Sequence, residues 1–278
     1  MKKPLLLGVV GFPLSHSQSP DLHNRWLRTV HLSGVYLPFE VSPSKLKRFF
    51  RMAQKVRLDG FNVTVPHKEK IIPLLDIVSK AAKTIGAVNT VVRKRARWYG
   101  DNSDWQGYLF SYKARFKKKP LKGKRIVLLG AGGAARAIVY ALCHEKVSEI
   151  IIANRNAGRA EKLVRHFNRH FPHIPKRALP LNSKKLGEFL AKTDLLINAT
   201  TVGLGNSRFS KSPIRSLRHK AIVSDIVYNP PLSPLLKEAK KSGHPILPGV
   251  GMFLHQAALS FELWTGKKPR GPRGMTLS

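Results

Sequence analysis

The run RIVLLGAGGAARAIVYALCHE, residues 125–145, limits the fold more than any other stretch. RIVLL reads as a buried strand, the glycines as a tight turn, and the Ala-rich run after them as a helix. A strand that feeds a helix through so short a turn builds a βα unit. Such units assemble into a mainly parallel sheet covered by helices. SEIIIANR, TDLLINAT and AIVSDIVYN then recur as short apolar strands with helical or loop material between them. The first hundred residues alternate in the same way. LLLGVVG, GVYLPFEV and GFNVTVP read as strands, and SPDLHNRWLRTVHL as a helix. SPSKLKRFFRMAQKV reads as an amphipathic helix with Ser42 or Ser44 as its cap. KEKIIPLLDIVSKAAKTI reads as mostly helical with a break near Pro73, and AVNTVVRKRARWYGDN as a hairpin. At 278 residues one core tends to split in two. The expected organisation is α/β: residues 1–103 as one domain, completed by 249–278, and 104–248 as a second. The apolar helix MFLHQAALSFELWTG follows the bend PGVG and packs back on the first domain.

Gly130, Gly132 and Ala135 fit G-x-G-x-x-G/A in the strand–turn–helix context that gives the pattern meaning. The glycines allow close approach to a pyrophosphate, and the helix N-terminus presents free N–H groups to it. The next strand ends at Asn154-Arg155, with Arg159 at the following helix. A carboxylate there would repel a 2′-phosphate, whereas guanidinium groups bind one through paired hydrogen bonds. The second domain is therefore expected to be Rossmann-like and to bind NADP.

Charge and cysteine bound the rest. There are 50 Lys plus Arg against 15 Asp plus Glu, a net of +35. Such a field attracts anions of every kind. The cations are spread along the chain, with local runs at RKRARW and KARFKKKPLKGKR, and there is no zinc pattern and no aromatic–basic signature of an RNA-binding module. A generally basic surface is expected, without a specific nucleic-acid partner. One cysteine, Cys143, lies in an apolar run and reads as packing in a reducing compartment. No apolar stretch reaches the roughly 18 residues of a membrane span. MKKPLLLGVVGF has too short an apolar part for a signal peptide and reads as a first strand, so a cytoplasmic location is expected.

Polar residues cluster where burial is expected. NVTVPHKEK puts Asn62, Thr64 and Lys68 at a strand end. HSQSP puts Ser17 and Ser19 before a helix, where one serine alone would be a cap. GAVNT adds Asn89, DNSD adds Asp104 and HQAALSFELW adds Gln256. These runs, with GAGGAARA, NRN, NAT, DIVYNP and GVGMFLHQA, closely resemble the shikimate dehydrogenase family from Gly11 to about Gly266. The resemblance implies reversible, NADPH-dependent reduction of 3-dehydroshikimate to shikimate, a step toward chorismate and the aromatic amino acids. It also implies an active site in the cleft between the two domains.

By the same resemblance Lys68 and Asp104 are the catalytic pair. Ser17 and Ser19 bind the substrate carboxylate. Asn62, Thr64, Asn89, Asp104 and Gln256 surround the ring hydroxyls and carbonyl. Gly130, Ala131, Gly132, Gly133 and Ala134 cradle the pyrophosphate, and Asn154, Arg155 and Arg159 meet the 2′-phosphate. Tyr228, Gly249 and Met252 line the meeting place of nicotinamide and substrate, with Thr200 of NAT on the cofactor side. His67 stands where the family usually has an aromatic, Ser103 replaces a Thr, and Asn156 replaces a Thr or Ser. His16 and His23 also lie in the first motif. No His, Cys and acid cluster has metal spacing, and hydride transfer needs none. The expected partner is a small-molecule substrate, with no membrane and the homodimer left open. Two alternatives stand: broader use of quinate or NAD, and a basic nucleic-acid-binding protein on a dehydrogenase scaffold.

Overall fold

The computed structural model describes residues 3–205 and 207–269. The chain divides into two compact units. One runs to Gly107 and resumes at Leu254; the other is Tyr108–Phe253.

The first unit contains β1 (Leu5–Gly11), α1 (Ser19–Thr29), β2 (Gly34–Glu40), α2 (Leu46–Lys55), β3 (Gly60–Val63), β4 (Ile77–Val78), α3 (Lys80–Ile85), β5 (Thr90–Lys94) and β6 (Arg97–Asp101), and α4 (Asp104–Arg115) begins in it. The sheet order is β2-β1-β3-β5-β6-β4. β1 lies parallel to β2 and β3, while β5 runs antiparallel to β3 and β6. The sheet is thus mixed, because a tight hairpin can return the chain only antiparallel. The core gathers Val10, Phe50, Phe61, Val63, Val91 and Trp98. His23 is fully buried among rings, stacked on Tyr36 at 4.4 Å. Among the described residues neither of its ring nitrogens has a hydrogen-bond partner, and burial pushes its pKa down to about 3.

The second unit continues α4 and adds β7 (Arg125–Leu129), α5 (Gly133–His144), β8 (Glu149–Asn154), α6 (Ala157–His170), β9 (Lys176–Pro180), α7 (Lys185–Leu190), β10 (Leu195–Asn198), β11 (Val202–Gly205), β12 (Ile222–Asp225), α8 (Pro234–Lys241) and β13 (Ile246–Leu247). α9 (Gly249–Thr265) starts here and ends in the first unit. Six strands form an all-parallel sheet in the order β13-β12-β10-β7-β8-β9. This is the doubly wound arrangement. The order reverses between β7 and β10, which opens a crevice beyond their carboxyl ends. Both faces of such a sheet are covered, so its inner strands β7, β8 and β10 are nearly continuous in apolar residues. Cys143 is buried in α5, and burial pushes its thiol up to about 12.

Three local expectations need correction. Neither Ser42 nor Ser44 caps α2: a 3₁₀ turn, Pro43–Lys45, precedes it, and Lys45 holds the cap position without a side-chain bond. The stretch after Lys68 is not mostly helical. A 3₁₀ turn at Ile72–Leu74 and the short β4 precede α3, whose true cap is Ser79, accepting from Ala82 N at 3.1 Å. Pro73 lacks the N–H a continuing helix needs. PGVG is not a bend, since Gly249 and Gly251 lie inside α9. A Cβ at Gly249 would press on the backbone of Ile226 and Val227, so close approach rather than turning requires that glycine. Three strands, β9, β11 and β13, were not read from the sequence, because they are too short or too polar to stand out as apolar runs.

Candidate active site

In the first unit, β3 delivers Asn62 and Val63 to the sheet's end, and a turn follows in which His67 N donates to Thr64 O at 2.9 Å. Val88 N donates to Lys68 O at 2.8 Å, which fixes the lysine backbone beside Asn89. Lys68 Nζ then meets Asp104 Oδ2 at 2.6 Å, with side-chain exposures of 13% and 5%. Asp104 opens α4, where Asn102 Oδ1 accepts from its N–H at 3.0 Å. Its other oxygen, Oδ1, accepts from Asn89 Nδ2 at 2.8 Å. The carboxylate is thus pinned from both sides and keeps free lone pairs.

Behind this ion pair lies a neutral network. Asn89 Nδ2 also reaches Gln256 Oε1 at 3.3 Å. Asn89 Oδ1 accepts from Ser103 N at 2.8 Å and Thr90 Oγ1 at 2.9 Å. Asn62 Nδ2 donates to Asn89 O and to Ser260 Oγ, both at 3.0 Å, while Tyr36 Oη donates to Asn62 Oδ1 at 2.8 Å. Asn62, Asn89, Lys68, Asp104 and Gln256 therefore form one connected group. Among the described residues no hydrogen bond joins the side chains of Thr64, Ser17 or Ser19 to it. Ser19 opens α1 but does not cap it; Gln18 holds that position without a side-chain bond. Ser17 Oγ accepts from Ser19 N at 3.4 Å. His67 is buried, and its Nε2–H donates to Val41 O at 2.6 Å. Burial is the largest cause lowering its pKa, opposed by that bond and aided by Lys70.

The second unit presents a nucleotide-type cradle at the switch point. Gly130 follows β7 with φ 111°, and a Cβ there would meet Ala199 O at 2.8 Å. Only glycine combines that backbone with that approach. Gly132 caps α5, and a Cβ there would find no atom within 4 Å. The first turn of α5 has no acidic residue and no side-chain cap bond, so its N–H groups are available to phosphates. At the end of β8, Asn154 Nδ2 donates to Asn156 O at 2.8 Å, and Asn156 Oδ1 caps α6 through Arg159 N at 3.1 Å. Arg155 and Arg159 are exposed beside that cap. These residues fit a dinucleotide carrying an extra phosphate. Thr200 folds over Asn198, its Oγ1 donating to Asn198 Oδ1 at 2.6 Å. Tyr228 stacks on Phe253 at 4.3 Å, and Met252 is buried in α9.

Sequence reasoning missed Tyr36, Thr90 and Ser260 in the first network. Ser260 had a signal: it lies four residues after Gln256 on one helix face. It also missed the support under the second site. Asp225 is buried and accepts from Asn198 Nδ2 at 2.9 Å, Val227 N at 2.9 Å and Ser233 Oγ at 2.6 Å. Burial pushes its pKa up to about 6 against the pull of those bonds. An acid at the end of an apolar strand, in a chain poor in acids, was the signal available.

Family models match most of the chain: a shikimate dehydrogenase substrate binding domain over residues 9–91, a shikimate/quinate 5-dehydrogenase model over 112–230, and a shikimate 5'-dehydrogenase C-terminal domain over 249–270. The chain is 42% identical over 264 residues to the shikimate dehydrogenase (NADP+) of Shouchella clausii, covering 94% of this chain and 93% of that one. Among solved structures it is similar to the shikimate 5-dehydrogenase of Thermus thermophilus in complex with NADP(H) and shikimate. That match has a TM-score of 0.82 at 35% identity, covering 96% and 95% of the two chains. The quinate dehydrogenase of Corynebacterium glutamicum in complex with NAD matches with a TM-score of 0.85 at 30% identity, covering 96% and 95%.

Proposed function

The chain belongs to the shikimate dehydrogenase family, and we propose that it interconverts 3-dehydroshikimate and shikimate with NADP(H), a step toward chorismate and the aromatic amino acids. The observation that carries the reading is the Lys68–Asp104 pair at 2.6 Å, a proton carrier fixed to a carboxylate that Asn89 holds from the other side. When bound, NADPH supplies the hydride. Negative charge grows on the carbonyl oxygen as the carbonyl carbon is reduced, and Lys68 Nζ delivers the proton there. In the reverse direction Lys68 takes the hydroxyl proton. Asp104 orients the ammonium group and accepts from a ring hydroxyl with its remaining lone pairs. Asn62, Thr64, Asn89 and Gln256 contact the ring oxygens, and Ser17 and Ser19 hold the carboxylate. Tyr228, Gly249 and Met252 would line the place where the cofactor's nicotinamide meets the substrate.

Gly130 to Ala134 and the start of α5 would hold the pyrophosphate. Asn154, Arg155 and Arg159 would hold the 2′-phosphate, with Thr200 alongside the cofactor. A cytoplasmic location goes with this reading, because a lone buried thiol suits a reducing compartment. The test measures kcat/KM for oxidation of shikimate and of quinate, each with NADP and with NAD. Shikimate with NADP should be the best pair. A higher value for quinate with NAD would overturn the reading.

A further inference from the structure

The second unit holds a cavity that the proposed reaction leaves unused. It measures about 810 Å³ and is lined by residues from 202–215 and by one side of α8. Arg208, Arg215, Lys237 and Lys241 line it with a single acid, Glu238. No residue assigned above to substrate or cofactor is among its lining. α8 faces the cavity for a simple geometric reason. Pro234, Lys237, Glu238 and Lys241 follow at intervals of three and four or less, which sets them on one helix face. Leu236 and Ala239, on the other face, are buried in the core. The remaining wall is fixed by the chain's own bonds. Gly203 N donates to Ser207 Oγ, and Ser207 Oγ to Leu204 O, both at 2.9 Å. Ser212 Oγ accepts from Ile214 N at 3.2 Å and caps a 3₁₀ turn, Pro213–Ser216. Pro213 and Leu235 are buried and Phe209 packs against the core, so part of this lining is apolar.

The four cations are gathered without acids to offset them. All four are exposed, and residues 195–224 contain no Asp or Glu. The acids that flank this stretch are engaged elsewhere. Asp194 pairs with Arg218 at 2.6 Å and accepts from Arg125 N at 2.9 Å. Asp225 accepts inward from Asn198, Val227 and Ser233. Lys237 and Lys241 stand four apart on α8, a spacing at which like charges repel. Among the described residues none of the four makes an ion pair. An anion seated among them would relieve the repulsion, and size and lining narrow its class. The volume suits a small organic molecule and exceeds what a bare ion needs. A phosphate monoester carries about two negative charges at pH 7 and three acceptor oxygens. That matches two guanidinium and two ammonium groups better than a single carboxylate does. Phe209, Pro213 and Leu235 then call for an apolar body on the ester.

We propose that this cavity is a binding site for a small phosphate monoester with an apolar body. The test is isothermal titration calorimetry of the full chain with phenyl phosphate as the probe, at about 0.15 M salt, where distant surface charges are screened. NADPH and shikimate are both present at saturation. They cannot react with each other, and together they fill the site of the proposed reaction. Phenyl phosphate should bind with a Kd below about 1 mM, within reach of a few charge-assisted hydrogen bonds. Arg208→Gln with Arg215→Gln should weaken it by about tenfold, the lower end for such bonds in an exposed setting, and so should Lys237→Gln with Lys241→Gln. Lys122→Gln with Arg169→Gln removes equal charge from the same unit outside the cavity, and should weaken binding less than about threefold. Ser210→Trp fills the cavity without changing charge and should abolish the heat of binding. Inorganic phosphate lacks the apolar body and benzoate the second charge, so each should bind at least about threefold more weakly than the probe. Thermal midpoints without the probe and saturated turnover should match the parent in every variant, which separates lost binding from lost folding. Equal losses in the control pair and the cavity pairs would mean that net charge alone draws the probe, and would overturn the proposal. So would failure of the parent to bind up to about 10 mM. Unchanged binding by Ser210→Trp, or binding of inorganic phosphate or benzoate as tight as that of the probe, would overturn it too.

Discussion

Asp104 in the first unit and Asp225 in the second are both buried and both accept from an asparagine amide, yet only Asp104 has a cation beside it. Asp225 has three donors, from Asn198, Ser233 and Val227, and its pKa still rises to about 6 because burial outweighs them. At Asp225 the three neutral donors therefore do not offset burial. The surroundings match the difference. Asp225 ties down the backbone that leads to Tyr228, and through Asn198 it reaches Thr200. It acts as a post under loops. Asp104 faces a lysine with 13% of its side chain exposed, which leaves Lys68 reachable.

The sharpest break in this comparison is to remove the cation. Lys68→Ala should lower turnover by about 10²-fold or more while KM stays within roughly tenfold, since a proton carrier acts mainly in the transition state. Steady-state kinetics with saturating NADP and varied shikimate would show it. Near-full turnover would remove Lys68 from the proton step.

The next test is pH, and it concerns Asp225 alone. Its folded pKa of about 6 lies above the ordinary 3.8. The raised value favours the neutral form in the folded state, so its contribution is fully present below about 3.8. That contribution is lost as pH rises to about 6 and stays lost above. The gap of roughly 2.2 pH units corresponds to about 3 kcal/mol, at 1.36 kcal/mol per unit. Urea unfolding of the parent and of Asp225→Asn across this window tests the point. The variant should be less stable throughout, because its new Nδ2 faces donors, but its stability should lack this downward slope. Parallel curves would mean that Asp225 does not titrate in the window.

A smaller effect is expected at the exposed end of the second unit. Arg155→Ala should weaken NADP binding by about tenfold, the lower end for a charge-assisted hydrogen bond in an exposed setting, and leave NAD nearly untouched. Equal losses for both cofactors would assign Arg155 to the fold.

Much of this was legible in the sequence because the signals were local. The turn GAGGAA carries its own geometry, and Asn62 and Asn89 stand out as polar residues within apolar runs, whereas Lys68 and Asp104 were assigned through the family resemblance. What stayed hidden depends on partners far along the chain. Ser260 joins Asn62 across 198 positions. Tyr36 reads as an ordinary buried ring on an edge strand until its hydroxyl is found on Asn62. The segment after Lys68 was misread because apolar spacing suggested a helix, whereas β4 is held by pairing with β6.

The smallest effect tests whether the neutral network is as independent of pH as its chemistry implies. Ser260 Oγ shares hydrogen bonds of 2.7 Å with Thr90 Oγ1 and 3.2 Å with Ser103 Oγ, accepts from Asn62 Nδ2 at 3.0 Å and lies 3.1 Å from Gln256 O. Ser260→Ala removes all four, but Asn62 Nδ2 keeps Asn89 O, and Thr90 Oγ1 and Ser103 Oγ keep Asn89 Oδ1. No buried donor is left wholly unpaired, so the loss should be near that of a single hydrogen bond, about 1 kcal/mol. Since none of the partners titrates, the loss should be the same at pH 5 and pH 8, in contrast to Asp225→Asn. KM for shikimate should rise by less than about tenfold, because Asn62 would be loosened rather than removed. A penalty that grew with pH would show that the network is coupled to the Lys68–Asp104 pair more tightly than its neutral bonds suggest.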